Sequence, residues 1–139
     1  MNNALWLVLG LFFGAVLIMY ARKYRTKGEK IILAKALIVA AIIYVLFAII
    51  WGSTTWMVIE IIGVPIYGLF AWAAMRYSSY WLAIGWLLHP LWDVWLHLLG
   101  PGKTVAPAWY AIACITFDIL VAGYIFYRAK YWRQQIKKV

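Results

Sequence analysis

Acidic residues are scarce in this sequence: only four of its 139 residues are Asp or Glu, and charged residues of both signs make up 12%. Soluble domains carry about 25% charged residues and are roughly 45–50% apolar, whereas 68% of this sequence is hydrophobic and its mean hydropathy is +0.87. The single cysteine, Cys114, excludes a disulfide framework within one chain. The composition therefore predicts an integral membrane protein with no room for a separate soluble domain.

Five apolar segments follow one another along the chain, each close to the roughly 20 residues that a helix needs to cross a bilayer. The separators between them are short, so consecutive helices are expected to run antiparallel. We therefore predict an all-α fold, a polytopic bundle of five transmembrane helices that forms a single domain over residues 1–139. The predicted helices cover residues 4–20, 31–51, 56–75, 80–99 and 107–127.

The net charge of +9 is concentrated in blocks beside the apolar segments. Five Lys and Arg residues lie in the loop 21–30 and five after Tyr127, and Arg76 falls on the same predicted face, whereas Lys103 stands alone on the other. Positive charge favours the cytoplasmic side, so the N-terminus is predicted outside and the C-terminus inside. Basic blocks at such positions contact anionic lipids, so we expect membrane lipids and no nucleic acid as partners.

Three of the four acids and both histidines lie inside the predicted membrane segments. An Asp at a helix centre costs roughly 2.5 to 3.5 kcal/mol on insertion scales, and such groups usually face the bundle interior and serve a function. Most of the few acids thus lie where a charged side chain has the highest free-energy cost, which indicates a binding site between the helices. These residues are Glu60, His89, Asp93, His97 and Asp118.

The predicted topology places these residues at similar depths. His89, Asp93 and His97 are spaced i, i+4 and i+8, which forms one stripe along an α-helix. At about 1.5 Å per residue, His89 and Asp118 fall near the bilayer midplane, Asp93 about 6 Å and Glu60 about 8 Å above it, and His97 about 12 Å above it. Side chains from three helices are therefore expected to share the outer half of the membrane.

Histidine and carboxylate ligands on facing helices are typical of metal sites in helix bundles. We predict that His89, Asp93, His97 and Asp118 bind a divalent metal, and mixed His and carboxylate ligands favour zinc, with iron and manganese compatible. A bound metal activates water, and Glu60 is the candidate general base. The predicted activity is that of a metal-dependent membrane hydrolase or lipid-modifying enzyme that acts on a lipidic substrate.

The pattern leaves three alternatives open. The carboxylates could form an ion or proton pathway, although little below Asp118 continues a polar route except Tyr67 and Tyr124. Haem could bind His89 or His97, but two histidines of one helix cannot hold both faces of a haem, so this needs a dimer. The polar cluster could also be structural in an accessory subunit. Gly10 and Gly14 favour close helix packing, in this chain or in a homo-oligomer.

The segment from Gly85 to His97 reads Gly-Trp-x-x-His-Pro-x-Trp-Asp-x-x-x-His. With residues 59–63 and the Phe117-Asp118 pair, it resembles an uncharacterised family of small bacterial integral membrane proteins of about 140 residues. The resemblance covers residues 56–127, implies location in the bacterial cytoplasmic (inner) membrane, and implies no reaction. A looser analogy links the His and Asp set to the intramembrane zinc hydrolases of the ceramidase type, which have a different number of spans.

Overall fold

The computed structural model describes residues 2–138, and within that range the chain is almost entirely helical. The five predicted helices are confirmed, and all five are long and apolar enough to cross a membrane. This indicates an integral membrane protein. The helices are α1 (Asn3–Ala21), α2 (Thr26–Trp51), α3 (Thr54–Arg76), α4 (Tyr80–Asp93, continued by a π-helical turn at Val94–Leu99) and α5 (Ala108–Lys137).

Two predicted helix boundaries were wrong. α2 begins at Thr26 and not at residue 31, and α5 continues to Lys137 and not to residue 127. Hydropathy marks where the apolar stretch ends, but a helix can continue into charged sequence as long as its backbone hydrogen bonds and packing persist. The early start of α2 has a consequence for Glu29, which was expected in a loop and is instead a buried helical residue.

The two glycines of α1 form a close contact within the chain. α1 packs along α5, and a Cβ atom placed on Gly10 would lie 2.0 Å from the carbonyl oxygen of Ala113. At Gly14 the nearest α5 backbone atom, the carbonyl oxygen of Phe117, would lie at 3.3 Å. The Gly10–Gly14 pair therefore lets the parallel helices α1 and α5 approach each other, as small residues do in membrane helix pairs. Both glycines are thus used for helix packing within one chain.

The bundle has two chemically different ends. The end where α1 finishes and α2 begins carries most of the Lys and Arg residues, and we call it the basic end. The opposite end holds the start of α1 and of α5, together with a short 3₁₀ turn at Pro101–Thr104. Between the two ends lies a layer of buried apolar side chains from α2, α4 and α5. This layer includes Leu33, Leu37, Leu82, Trp86, Val121 and Ile125.

Candidate metal centre

A compact polar group lies between α4 and α5, around the middle of α4 and about a third of the way along α5. His89 and Asp93 are one turn apart on α4, and Asp118 faces them from α5; all three side chains are at most 1% exposed. The Nδ1 atom of His89 lies 2.9 Å from Oδ2 of Asp118 and 3.5 Å from Oδ2 of Asp93. We call these three residues the triad. One possible ligand atom from each lies within 4.8 Å of the others.

The triad carboxylates make few hydrogen bonds. Among residues 2–138, neither oxygen of Asp93 has a hydrogen-bond partner, and Oδ1 of Asp118 has none either. The one clear hydrogen bond joins His89 Nδ1 to Asp118 Oδ2. A buried carboxylate without donors is unfavourable, because its desolvation is not compensated. A site of this kind is complementary to a ligand that brings positive charge.

The spacing of these atoms suits a small cation. Zinc binds histidine nitrogen and carboxylate oxygen at about 2.0–2.2 Å, so two ligand atoms of a tetrahedral site lie roughly 3.4 Å apart. The two measured separations in the triad, 2.9 and 3.5 Å, bracket that value. A cation between these atoms would replace the proton that His89 Nδ1 shares with Asp118, since metal binding requires an unprotonated imidazole nitrogen.

Glu60 and His97 form a second buried pair. Nε2 of His97 lies 3.0 Å from Oε1 of Glu60, but these two atoms lack hydrogen-bond geometry and have no other partner in the described part of the chain. His97 Nδ1 lies 3.1 Å from the carbonyl oxygen of Gly102. A carbonyl only accepts, so Nδ1 carries a proton. Nε2 then points toward the carboxylate, and a proton or a cation between the two atoms is needed to relieve lone-pair repulsion.

The structure divides the five predicted site residues into these two groups. His89, Asp93 and Asp118 come together as expected, whereas His97 contacts Glu60. The physical reason lies in α4, whose last turn is π-helical from Val94 onward. The i, i+4 stripe assumed α-helical geometry, and the wider π turn changes the direction of His97 relative to Asp93. Assignment of the residues to metal binding or catalysis stays a prediction.

Aromatic side chains join the two groups, and sequence reasoning missed the most central one. The ring of Tyr44, from α2, stacks on His97 with centroids 4.6 Å apart and lies 5.8 Å from the ring of His89. Trp92 Nε1 donates to Oε2 of Glu60 at 3.2 Å, and Tyr67 lies 5.0 Å from the His89 ring. Tyr44 stands in an otherwise apolar stretch of α2, and this isolated polar aromatic residue was the available signal.

A different buried acidic cluster lies at the basic end and was also missed. Glu29 of α2 is 1% exposed and accepts hydrogen bonds from three α5 side chains: the hydroxyl of Tyr124, Nη2 of Arg128 at 3.1 Å and Nε1 of Trp132 at 2.8 Å. We call these four residues the Glu29 cluster. Beside it, Lys30 donates to the carbonyl oxygen of Ala74 at 3.2 Å. Glu29 lies in a basic segment of the sequence, so its burial was not predicted.

Comparison with known proteins identifies the family. Residues 5–131 match the model described as "Family of unknown function (DUF6010)". The chain belongs to this family. The match spans both groups of site residues and three of the four residues of the Glu29 cluster, with Trp132 just beyond its end, and it confirms the prediction that the chain is a member of an uncharacterised family. No curated protein and no solved structure is detectably similar to the chain. For this DUF6010 member, inferences about function therefore depend on the geometry of the site.

Proposed function

We propose that the chain is an integral membrane protein that binds a divalent metal at His89, Asp93 and Asp118. One observation carries the proposal: two buried carboxylates face one imidazole within the bundle, and three of the four carboxylate oxygens have no hydrogen-bond partner in residues 2–138. A bound divalent cation would compensate this buried negative charge. The mixed nitrogen and oxygen ligand set favours zinc and is compatible with manganese or iron.

Surrounding side chains support this interpretation. Metal-binding residues are usually oriented by partners that are not themselves ligands, and the rings of Tyr44 and Tyr67 pack against His89 from two sides. Glu60 is held by the indole of Trp92 and keeps Oε1 free of hydrogen bonds from any described residue. This orientation suits the role of general base that we propose for Glu60, with His97 as the neighbouring group that positions it and exchanges a proton with it.

A hydrolytic activity on a lipidic substrate is the reaction class we favour. A metal at the triad would supply an activated water, and Glu60 would accept its proton. The triad lies within the apolar span of the helices, so its substrate would arrive from the bilayer. We also propose that the basic end faces the cytoplasm of a bacterial cell, in accordance with the positive-inside rule.

Transmembrane ion or proton conduction is disfavoured by the layer of apolar side chains between the triad and the basic end. Leu37, Trp86 and Val121 are fully buried there, and the Trp86 indole is already engaged with the carbonyl oxygen of Leu33 at 3.3 Å. A conducting pathway needs polar groups or water through this level. Haem ligation is disfavoured because both imidazoles face carboxylates and aromatic rings that occupy the space beside them.

Metal analysis of the purified protein tests the proposal. We expect close to one zinc, manganese or iron ion per chain in protein purified without chelator, and a decrease of at least tenfold in the His89→Ala/Asp93→Ala variant. Glu29→Gln is the matched control, because it changes a buried acid whose oxygens already have donors, and its metal content should equal that of the natural sequence. Equal metal content in all three proteins, or none in any after zinc is supplied, would refute the proposal.

A further inference from the structure

An apolar groove connects the lipid-facing surface to the triad. It has a volume of about 390 Å³ and runs between α1, α2 and α5. This volume is within the roughly 300–1,000 Å³ typical of sites for small organic ligands. On α1 the groove extends from Trp6 to Leu17, and on α5 from Trp109 to Asp118. Asp118 is thus shared between the groove and the triad.

The length of the groove matches one leaflet of hydrocarbon. Trp6 and Leu17 are eleven residues apart on α1, which corresponds to about 16 Å at a rise of 1.5 Å per residue. Half of a bilayer's hydrocarbon core is about 15 Å. The rings of Trp6 and Trp109 contact each other, with centroids 5.3 Å apart, at the end of the groove that is nearest to the start of both helices. The groove therefore lies along the direction and depth of a lipid chain.

The lining is mostly apolar. Two small residues of α2 line the groove, Ala36 and Ala40, and their short side chains leave space for a hydrocarbon chain. Asp118 is the one charged residue of the lining; its side chain is 1% exposed, and its Oδ1 accepts nothing from residues 2–138. Oδ2 of the same carboxylate is already engaged with His89. An O–H or N–H group of a ligand would complete this carboxylate, whereas a large charged headgroup would find no polar partners in the groove.

We infer that the groove binds a single-chain lipid whose hydrocarbon chain lies between α1, α2 and α5 and whose small, uncharged polar end donates a hydrogen bond to Oδ1 of Asp118. Long-chain alcohols and amides are the simplest compounds of this class. The inference deepens the proposed function, since it names the substrate class and its route to the triad. Binding of the hydrocarbon chain of the lipid requires only the groove.

Photoaffinity labelling with a diazirine derivative of hexadecanol tests the inference in metal-free and in zinc-supplied protein. We expect the label to map to peptides of α1, α2 and α5 that line the groove. Unlabelled hexadecanol should compete at least tenfold better than hexadecane, which lacks a donor. In Asp118→Ala this difference between the two competitors should disappear, while labelling of the groove persists.

The control uses two similar alanines in different grooves. Ala40→Phe fills the groove and should decrease competable labelling at least tenfold. Ala73 lines a smaller apolar groove of about 280 Å³ between α3 and α4, without an acidic residue, so Ala73→Phe should leave the labelling unchanged. If Ala40→Phe does not fold, Val39→Trp, at a half-exposed position of the same lining, replaces it.

The outcomes separate this inference from the proposed function. Labelling that is spread evenly over lipid-facing helices, or that Ala40→Phe does not decrease, would overturn the groove, even in a protein that binds one metal per chain. Competable labelling of the groove in a protein that binds no metal would support the groove and refute the metal proposal alone.

Discussion

Two buried acidic clusters lie at different levels of the same bundle and are satisfied in opposite ways. At the basic end, both oxygens of Glu29 accept hydrogen bonds, from a hydroxyl, a guanidinium and an indole. At mid-depth, Asp93 accepts none from the described residues, and Asp118 is paired through one oxygen only. Since buried polar groups in folded proteins are nearly always paired, the first arrangement is typical of structural support and the second of a binding site.

Helix α5 accounts for the difference between the two clusters. α5 carries members of both clusters, with Asp118 in one and Tyr124, Arg128 and Trp132 in the other. The donors are all placed on the part of α5 toward the basic end, each four residues after the one before, so they form one face of the helix. Near Asp118 the same helix carries the Thr116 hydroxyl, which donates to the carbonyl oxygens of Leu7 and Ala113 and not to the carboxylate. Oδ1 of Asp118 is thus left for a ligand, because no side chain in the described part of α5 donates to it.

The largest expected effect is on stability at the basic end. Glu29→Ala removes the acceptor of three donors, and breaking a buried pair leaves a charge and polar groups uncompensated. We expect a decrease of about 3 kcal/mol in the free energy of unfolding, measured by denaturant titration in detergent micelles. Metal content per folded chain should not change. A decrease below about 0.5 kcal/mol would contradict the structural role of the Glu29 cluster.

Metal binding should stabilise the folded protein only when the triad is intact. Ligand that binds the folded state at 100 times its Kd increases the free energy of unfolding by about 2.7 kcal/mol. We expect zinc to give such an increase for the natural sequence and for Glu29→Gln, relative to chelator-treated protein. Asp118→Asn should lose most of it. Equal zinc stabilisation of Asp118→Asn would show that the ion binds elsewhere.

Two tryptophans provide a matched pair, because each indole donates to one buried acid. Trp132→Phe removes one of the donors to Glu29 and should cost about 1 kcal/mol of stability without altering zinc affinity. Trp92→Phe removes the described indole donor to Glu60. Because Glu60 is the proposed general base and not a proposed ligand, zinc affinity, measured by competition with a chromogenic chelator, should fall by less than the roughly tenfold typical for loss of a ligand's orienting partner. A loss of zinc affinity of roughly tenfold or more in Trp92→Phe would instead make Glu60 a metal ligand, and such a loss in Trp132→Phe would contradict the distinction between the two clusters.

The smallest effect is expected at the least satisfied acid. In chelator-treated protein, Asp93→Asn removes a buried charge that has no donors among residues 2–138, so stability should stay unchanged or increase by up to about 1 kcal/mol. The same denaturant titration measures it. A decrease of more than about 2 kcal/mol would mean that Asp93 supports the fold and that the proposed ligand role is incorrect.

The sequence by itself determined the five helices that are long and apolar enough to cross a membrane, since hydrophobic length is a local property that needs no tertiary contact. It also indicated Glu60, His89, Asp93, His97 and Asp118, because ionisable residues in apolar segments are conspicuous. Tertiary structure decided which of them meet. The π-helical turn after Asp93 directs His97 to Glu60, Tyr44 of α2 packs near both imidazoles, and the extended α2 and α5 bury Glu29. Helix register and side-chain direction depend on packing between helices, and a single sequence does not encode that locally.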